Sequence, residues 1–123
     1  MVERNLLGIN LLDITRNQLL IVLDDFIKQN EKKTIFGISA AAYGRLKFRP
    51  DLFGIFKRFD ILIAEGAGIP LLAKFFGIKI SEKIGMVNLM YDLLELSNNH
   101  SYKVLFFGST EDTNSRIEEI ISK

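Results

Sequence analysis

A carboxylate set between an apolar run and two spaced glycines can hold a reacting group at the mouth of a sheet. Glu65, Gly66 and Gly68 stand in that order directly behind the run Asp60–Ala64. Gly66 and Gly68 carry no side chains, so a ligand could approach the backbone closely there. A helix starting near Ile69 would aim free N–H groups at the same space, which favours an anion. Glu65 would repel a phosphate placed too near it. The arrangement is coherent if Glu65 faces a hydroxyl to be deprotonated while phosphate sits elsewhere. A strand-to-helix turn also needs glycine for its geometry alone, and Glu65 is then a solvated turn residue.

Two further segments have the same strand–glycine–helix character: Gly37 to Ser39 and Gly108 to Thr110. Ser39, Ser109 and Thr110 are also adequate helix caps without any ligand. Lys79 and Lys83, in the irregular stretch Ile78–Gly85, read either as phosphate contacts or as solvated charges. His100, the one histidine, sits in a polar "NNHS" segment that reads as a surface loop. The phenylalanines at 48, 53, 56, 59, 75 and 76 recur at helical spacing and read mostly as core packing.

The elements that would position these residues alternate. Asn5–Ile14 reads as a first strand and a turn around Gly8. Thr15 and Gln18 form a capping box for a helix over Arg16–Gln29. "TIFGI" (34–38) and "DILIA" (60–64) read as buried strands, and "YKVLFFG" (102–108) as a last one. Helices are expected over "SAAAYGRLKF" behind Ser39 and over "PDLFGIFKRF" with Pro50 at its first position. Others are expected over "GIPLLAKFFG" ended by Gly77, over "MVNLMYDLLELS" ended by "NNHS", and at the chain terminus. This order predicts an α/β fold: a mostly parallel sheet with helices on both faces, in a single domain over residues 1–123. In such sheets ligands bind beyond the carboxyl ends of the strands, where the three glycine segments fall.

Composition narrows the function classes. The 123 residues are 48% hydrophobic and 25% charged, which fits a globular domain rather than a disordered chain. Sixteen basic residues face 15 acidic ones, for a formal charge of +1, so there is no broad electrostatic case for nucleic acid. The chain has no cysteine, which removes disulfides and thiolate metal sites and is compatible with a reducing cytoplasm. One histidine cannot build a metal cluster alone, and no metal or cofactor is expected. No signal peptide is evident, and no apolar run reaches the ~20 residues needed to cross a bilayer. Peripheral membrane contact remains open.

The order of segments resembles the WecG/TagA/CpsF family of bacterial glycosyltransferases. The blocks that carry the resemblance are "LLGINLLDIT", "RPDLFGIFKRFDILIAEGAGIPLLAKFFG", "KISEKIGMVNLMYDLL" and "YKVLFFGS". They span nearly the whole chain and correspond to the front part of a usual family domain. The resemblance implies a Rossmann-like fold and a truncated, divergent member. It implies transfer of an N-acetylhexosamine, such as N-acetylmannosamine, from a UDP-sugar donor to a lipid-diphosphate-linked sugar acceptor. No metal is required in that account. A cytoplasmic protein, peripheral at the inner face of the membrane, would suit such an acceptor.

Residue by residue, the family's Ala-Asp-Gly-x-Gly turn falls on Ala64–Gly68, with Glu65 where the proposed Asp base stands. Thr-x-Asn falls on Gly37 and Ser39, the crossing-loop Arg on Lys83, Gly-x-Asp on Met86 and Asn88, and Gly-Gly on Gly108 and Ser109. The resemblance therefore implies Glu65 as catalytic base and Ser39, Gly66, Gly68, Lys83, Asn88, Gly108 and Ser109 as substrate contacts. The altered polar positions support an alternative: an inactive or split-protein homologue that binds a UDP-sugar or a partner. A sheet without its later strands would leave an open edge, which favours self-association.

Overall fold

A computed structural model describes residues 1–122 of the chain. It divides into two compact units, Met1–Leu93 and Leu94–Lys123.

The first unit opens with a hairpin. Strands β1 (Val2–Leu6) and β2 (Ile9–Asp13) pair antiparallel, with Leu6 opposite Ile9 at the turn. Both turn residues, Leu7 and Gly8, have positive φ (51° and 86°), the requirement of a tight turn whose twist matches the strands. The expected first strand and turn is thus two strands and a turn.

Helix α1 (Arg16–Lys28) begins as its sequence foretold. Thr15 Oγ1 accepts from Gln18 N, and Thr15 N donates to Gln18 Oε1, so two otherwise unpaired donors are satisfied. Strand β3 (Ile35–Ile38) leads into helix α2 (Ala40–Leu46), capped by Ser39 Oγ, which accepts from Ala42 N at 3.3 Å. The short helix α3 (Leu52–Phe56) starts two residues later than Pro50, and Asp51 ahead of it makes no capping bond. Strand β4 (Ile61–Ala64) pairs parallel with β3 in the register Ile35–Ile61 to Ile38–Ala64. At the amino end of that pair, Thr34 N donates to Asp60 Oδ2 at 2.8 Å, and Asp60 N donates back to Thr34 Oγ1.

Helix α4 (Gly68–Phe75) ends as Gly77 predicts. Gly77 has φ +72°, and Ile78 N reaches back to Ala73 O at 2.9 Å, closing the last turn.

The alternation of β4 decides where the core sits. Leu62 and Ala64 face one apolar cluster, with Tyr43 and Leu46 of α2 and Ile69 and Ala73 of α4. Ile61 and Ile63 face a second cluster, with Leu19 and Leu23 of α1, Ile84, and Leu89 of helix α5 (Met86–His100). The parallel pair is therefore covered on both faces, which explains why all four residues of β4 are buried. Tyr43 ties the hairpin to this core, its buried hydroxyl donating to Leu6 O at 3.0 Å. Burial pushes the Tyr43 phenol well above its ordinary pKa.

The sheets are smaller than the sequence predicts. The described strands form one parallel pair and one antiparallel pair rather than a mostly parallel sheet. The fold is mixed α/β.

The second unit holds the later part of α5, the segment 101–110 and helix α6 (Glu111–Ile121). Helix α5 does not stop at "NNHS". It runs through Asn98 and Asn99 to His100, and Ser101 at φ +56° follows it. His100 is exposed at that helix end rather than in a loop. The segment "YKVLFFG" is not a strand. Leu105 is 88% and Phe107 99% exposed. A strand needs a hydrogen-bonded neighbour as well as β-prone residues, and no ladder forms there among the described residues. Thr110 caps α6, accepting from Thr113 N at 3.3 Å.

Candidate functional site

Strand β4 delivers Glu65 to the carboxyl end of the parallel pair. Glu65 N donates to Ile38 O at 3.0 Å, so the first residue beyond β4 is held beside the last residue of β3. Its half-buried side chain turns over Gly37. A Cβ added to Gly37 would lie 3.1 Å from Glu65 Oε2, and 2.7 Å and 2.8 Å from Cγ and Sδ of Met86. Gly37 is thus the floor on which a carboxylate and a thioether meet. A side chain there would force Met86 to shift and would crowd Glu65.

The turn that follows supplies the second wall. Gly66 has φ +74°, a conformation open to glycine at little cost. Gly68 opens α4, and a Cβ on it would lie 2.7 Å from Ala40 Cβ, so α2 and α4 begin in close contact. The two helix starts differ. Ser39 caps α2, whereas the residue before α4, Ala67, offers no side-chain cap. Pro70 has no N–H, which leaves Gly68 and Ile69 as the donors at that end.

Three hydrogen bonds from distant parts of the chain hold the crossing loop. Ser81 N donates to Asp13 Oδ1 at 2.7 Å, and Glu82 Oε2 accepts from Arg16 N at 3.0 Å. Ile84 N donates to Ala64 O at 2.9 Å, and its side chain is buried. Lys83 lies between the last two anchors with its side chain exposed. Burial works to raise the Asp13 pKa, but the Ser81 bonds and Arg4, 3.4 Å away, hold it below the ordinary value. Asn88, in the first turn of α5, is exposed, with Nδ2 3.3 Å from where a Cβ on Gly85 would lie.

Glu65, Gly66, Gly68, Ser39, Lys83 and Asn88 all belong to the first unit. Gly108 and Ser109 belong to the second. There Gly108 O accepts from Asn114 Nδ2 at 2.7 Å, and Gly108 and Ser109 have positive φ (125° and 62°). Glu111 and Asp112 occupy the first turn of α6, where their charge suits the positive end of the helix. Among the described residues, no three His, Asp or Glu side chains converge as metal ligands.

Sequence reasoning missed the meeting of Gly37 and Met86 at Glu65, and the anchors Asp13 and Glu82. Each is an ordinary residue locally, and its partner lies tens of positions away. The phenylalanines were also misjudged in part. Phe56 and Phe59 pack on Phe36 at ring-centre distances of 5.5 and 5.1 Å, but Phe48, Phe75 and Phe76 are exposed.

The model of the glycosyl transferase WecG/TagA/CpsF family matches residues 4–123. No curated protein sequence matches the chain. Among the described residues, no helix is long and apolar enough to cross a membrane.

Proposed function

Because the chain belongs to the WecG/TagA/CpsF family of glycosyltransferases, which serve cell-surface polysaccharide synthesis, we propose that it moves an N-acetylhexosamine onto a lipid-diphosphate-linked sugar. The donor is a UDP-sugar, with N-acetylmannosamine the first candidate, and the frame is a Rossmann-like one. The observation that carries this reading is the half-buried Glu65 at the carboxyl end of β4, over the floor made by Gly37.

Glu65 takes the proton of the acceptor hydroxyl as that oxygen attacks the anomeric carbon. The new carbon–oxygen bond forms as the bond to UDP breaks, and the electron pair leaves on the diphosphate. Lys83, on a loop anchored at three points, balances that charge. The uncapped N–H groups of Gly68 and Ile69 favour the same anion. Ser39 and Asn88 hydrogen-bond a sugar. Gly66 gives the ligand room at the backbone.

The test is a transfer assay with UDP-N-acetylmannosamine and a lipid-diphosphate N-acetylglucosamine acceptor. Product from the parent chain and none from Glu65→Gln is the expected result. Equal turnover by both would remove Glu65 from the mechanism. One observation favours a second reading, a UDP-sugar-binding or interaction module without transfer. Met86 fills the space above Gly37 with an apolar side chain beside the carboxylate. Saturable UDP binding without product from the parent chain would select that reading.

A further inference from the structure

The start of α5 is fixed. Ile84 N is bonded to Ala64 O, and Leu89 N donates to Gly85 O at 3.0 Å, so the backbone at Met86 is held from both sides. Its side chain has a set origin, and only its own torsions are free. Side chains alternate along a strand, so Glu65 continues the row of Ile61 and Ile63, and Gly37 continues that of Ile35. Those isoleucines meet the cluster shared with α1 and α5, and Met86 packs against the same cluster. Met86 is thus the apolar side chain that borders the carboxylate on this face.

Gly37 lies opposite Ile63 in the parallel register and brings no side chain to the row. Cγ and Sδ of Met86 lie 2.7 Å and 2.8 Å from where its Cβ would be, and Glu65 Oε2 lies 3.1 Å from the same point. Helix α5 therefore supplies the side chain that β3 lacks. One flank of the carboxylate is filled by an unbranched apolar chain. The Gly66 turn beside it is open, since a Cβ there would meet nothing within 4 Å.

A carboxylate walled on one flank discriminates between kinds of hydroxyl. A hydroxyl on a ring carbon brings two neighbouring ring carbons and their substituents beside the oxygen, and one set falls where Met86 stands. A hydroxyl on a CH2 arm brings only hydrogens. We propose that Met86 is the specificity-determining residue of this site, and that the hydroxyl reaching Glu65 is a primary one, the exocyclic CH2–OH of the acceptor sugar. This rests on the reading of Glu65 as the base in sugar transfer and adds which oxygen is glycosylated. The primary oxygen bonds to the anomeric carbon, its proton passes to Glu65, and UDP leaves with the electron pair of the broken bond.

The first test probes the flank without turnover. A water-soluble carbodiimide activates carboxyls on the full chain, and cyclohexylmethylamine or cyclohexylamine then forms the amide. The two amines carry nitrogen on a CH2 arm or directly on the ring. Peptide mass spectrometry reads Glu65 against the exposed Glu111, which corrects for the reactivity of each amine. Glu65 of the parent should favour the armed amine about tenfold more than Glu111 does, the scale on which one methylene is discriminated in a packed pocket. Met86→Ala should abolish that preference, and Met86→Leu, of similar volume, should keep it. Met86→Val should fall between them and decides the matter if the alanine variant does not fold. Equal preference in the parent and its shortened variants, or no labelling of Glu65 in the parent, would overturn the proposal.

The second test is linkage analysis of the transfer product. Linkage at the primary hydroxyl, and no product from an acceptor deoxygenated there, is expected. Linkage at a ring hydroxyl would overturn the proposal and leave Glu65 as base. No product from any acceptor would remove the transfer reading, and with it the assignment of the oxygen, while the amine preference would still identify Met86 as the residue that sets access to Glu65.

Discussion

The backbone N–H of Ile84 donates to the carbonyl of Ala64 at 2.9 Å, and that bond joins two chemical groups by their neighbours. Glu65 follows Ala64, and Lys83 precedes Ile84. The candidate base and the candidate diphosphate partner are thus held to one hydrogen bond, though 18 positions separate them in sequence. Neither sits on a free loop. The end of a buried strand places one, and a pinned crossing places the other.

Glu65→Gln keeps the size and most of the hydrogen bonding of the side chain and removes its basicity. Turnover should fall by about 100-fold to 10,000-fold, the range of a lost general base. The thermal midpoint should stay close to that of the parent. A melt recorded beside the transfer assay separates the two effects.

Gly37→Ala should destabilise the first unit by about 1–3 kcal/mol, because the added methyl meets Met86 and Glu65 inside contact distance. Met86→Ala in the same chain should recover part of that loss, since it removes the nearer obstacle. Urea denaturation of both single variants and the double variant gives the coupling directly.

Asp13 makes the fold acid-sensitive. Its native carboxyl binds a proton less readily than in the unfolded chain, whose ordinary value is 3.8. The contribution to stability is therefore complete above that value and is lost as pH falls through the lower native one. Asp13→Ala should cost about 1–3 kcal/mol near neutral pH, because Ser81 N loses its acceptor. The variant should also show a shallower loss of stability on acidification. Chemical denaturation across acidic pH checks both.

Lys83→Ala should raise the donor KM about tenfold, the scale of one lost contact to a charged group. The melt should be unchanged, since the side chain is exposed. Lys83→Arg should restore binding, because a guanidinium grips phosphate with two donors. Initial rates over a range of donor concentrations distinguish this from a loss in kcat.

Local signals in the sequence were enough for most elements. Thr15 with Gln18, Ser39 before α2 and Gly77 after α4 each act on backbone groups within a few residues, and each does so in the structure. The unbroken apolar run of β4 likewise needs only its own side chains to be read as a buried strand. Long-range partners were not legible. Nothing around Asp13 announces Ser81, and nothing around Gly37 announces Met86. The end of α5 was misplaced because exposed asparagines cost a helix only tenths of a kcal/mol each, too little to stop it. "YKVLFFG" has the residues of a strand, but strand formation depends on a neighbour that its own sequence does not encode.

Val104 to Phe107 bear on how the protein survives at high concentration. Four consecutive uncharged, β-prone residues stand exposed or nearly so in the second unit. Such a run is a ready nucleus for ordered aggregation, and its flanking Lys103 is the one nearby charge that opposes stacking. Precipitation should then follow nucleation kinetics, with a lag that shortens steeply as the solution is concentrated. Leu105→Lys should lengthen that lag in light scattering while leaving the melt of the first unit alone.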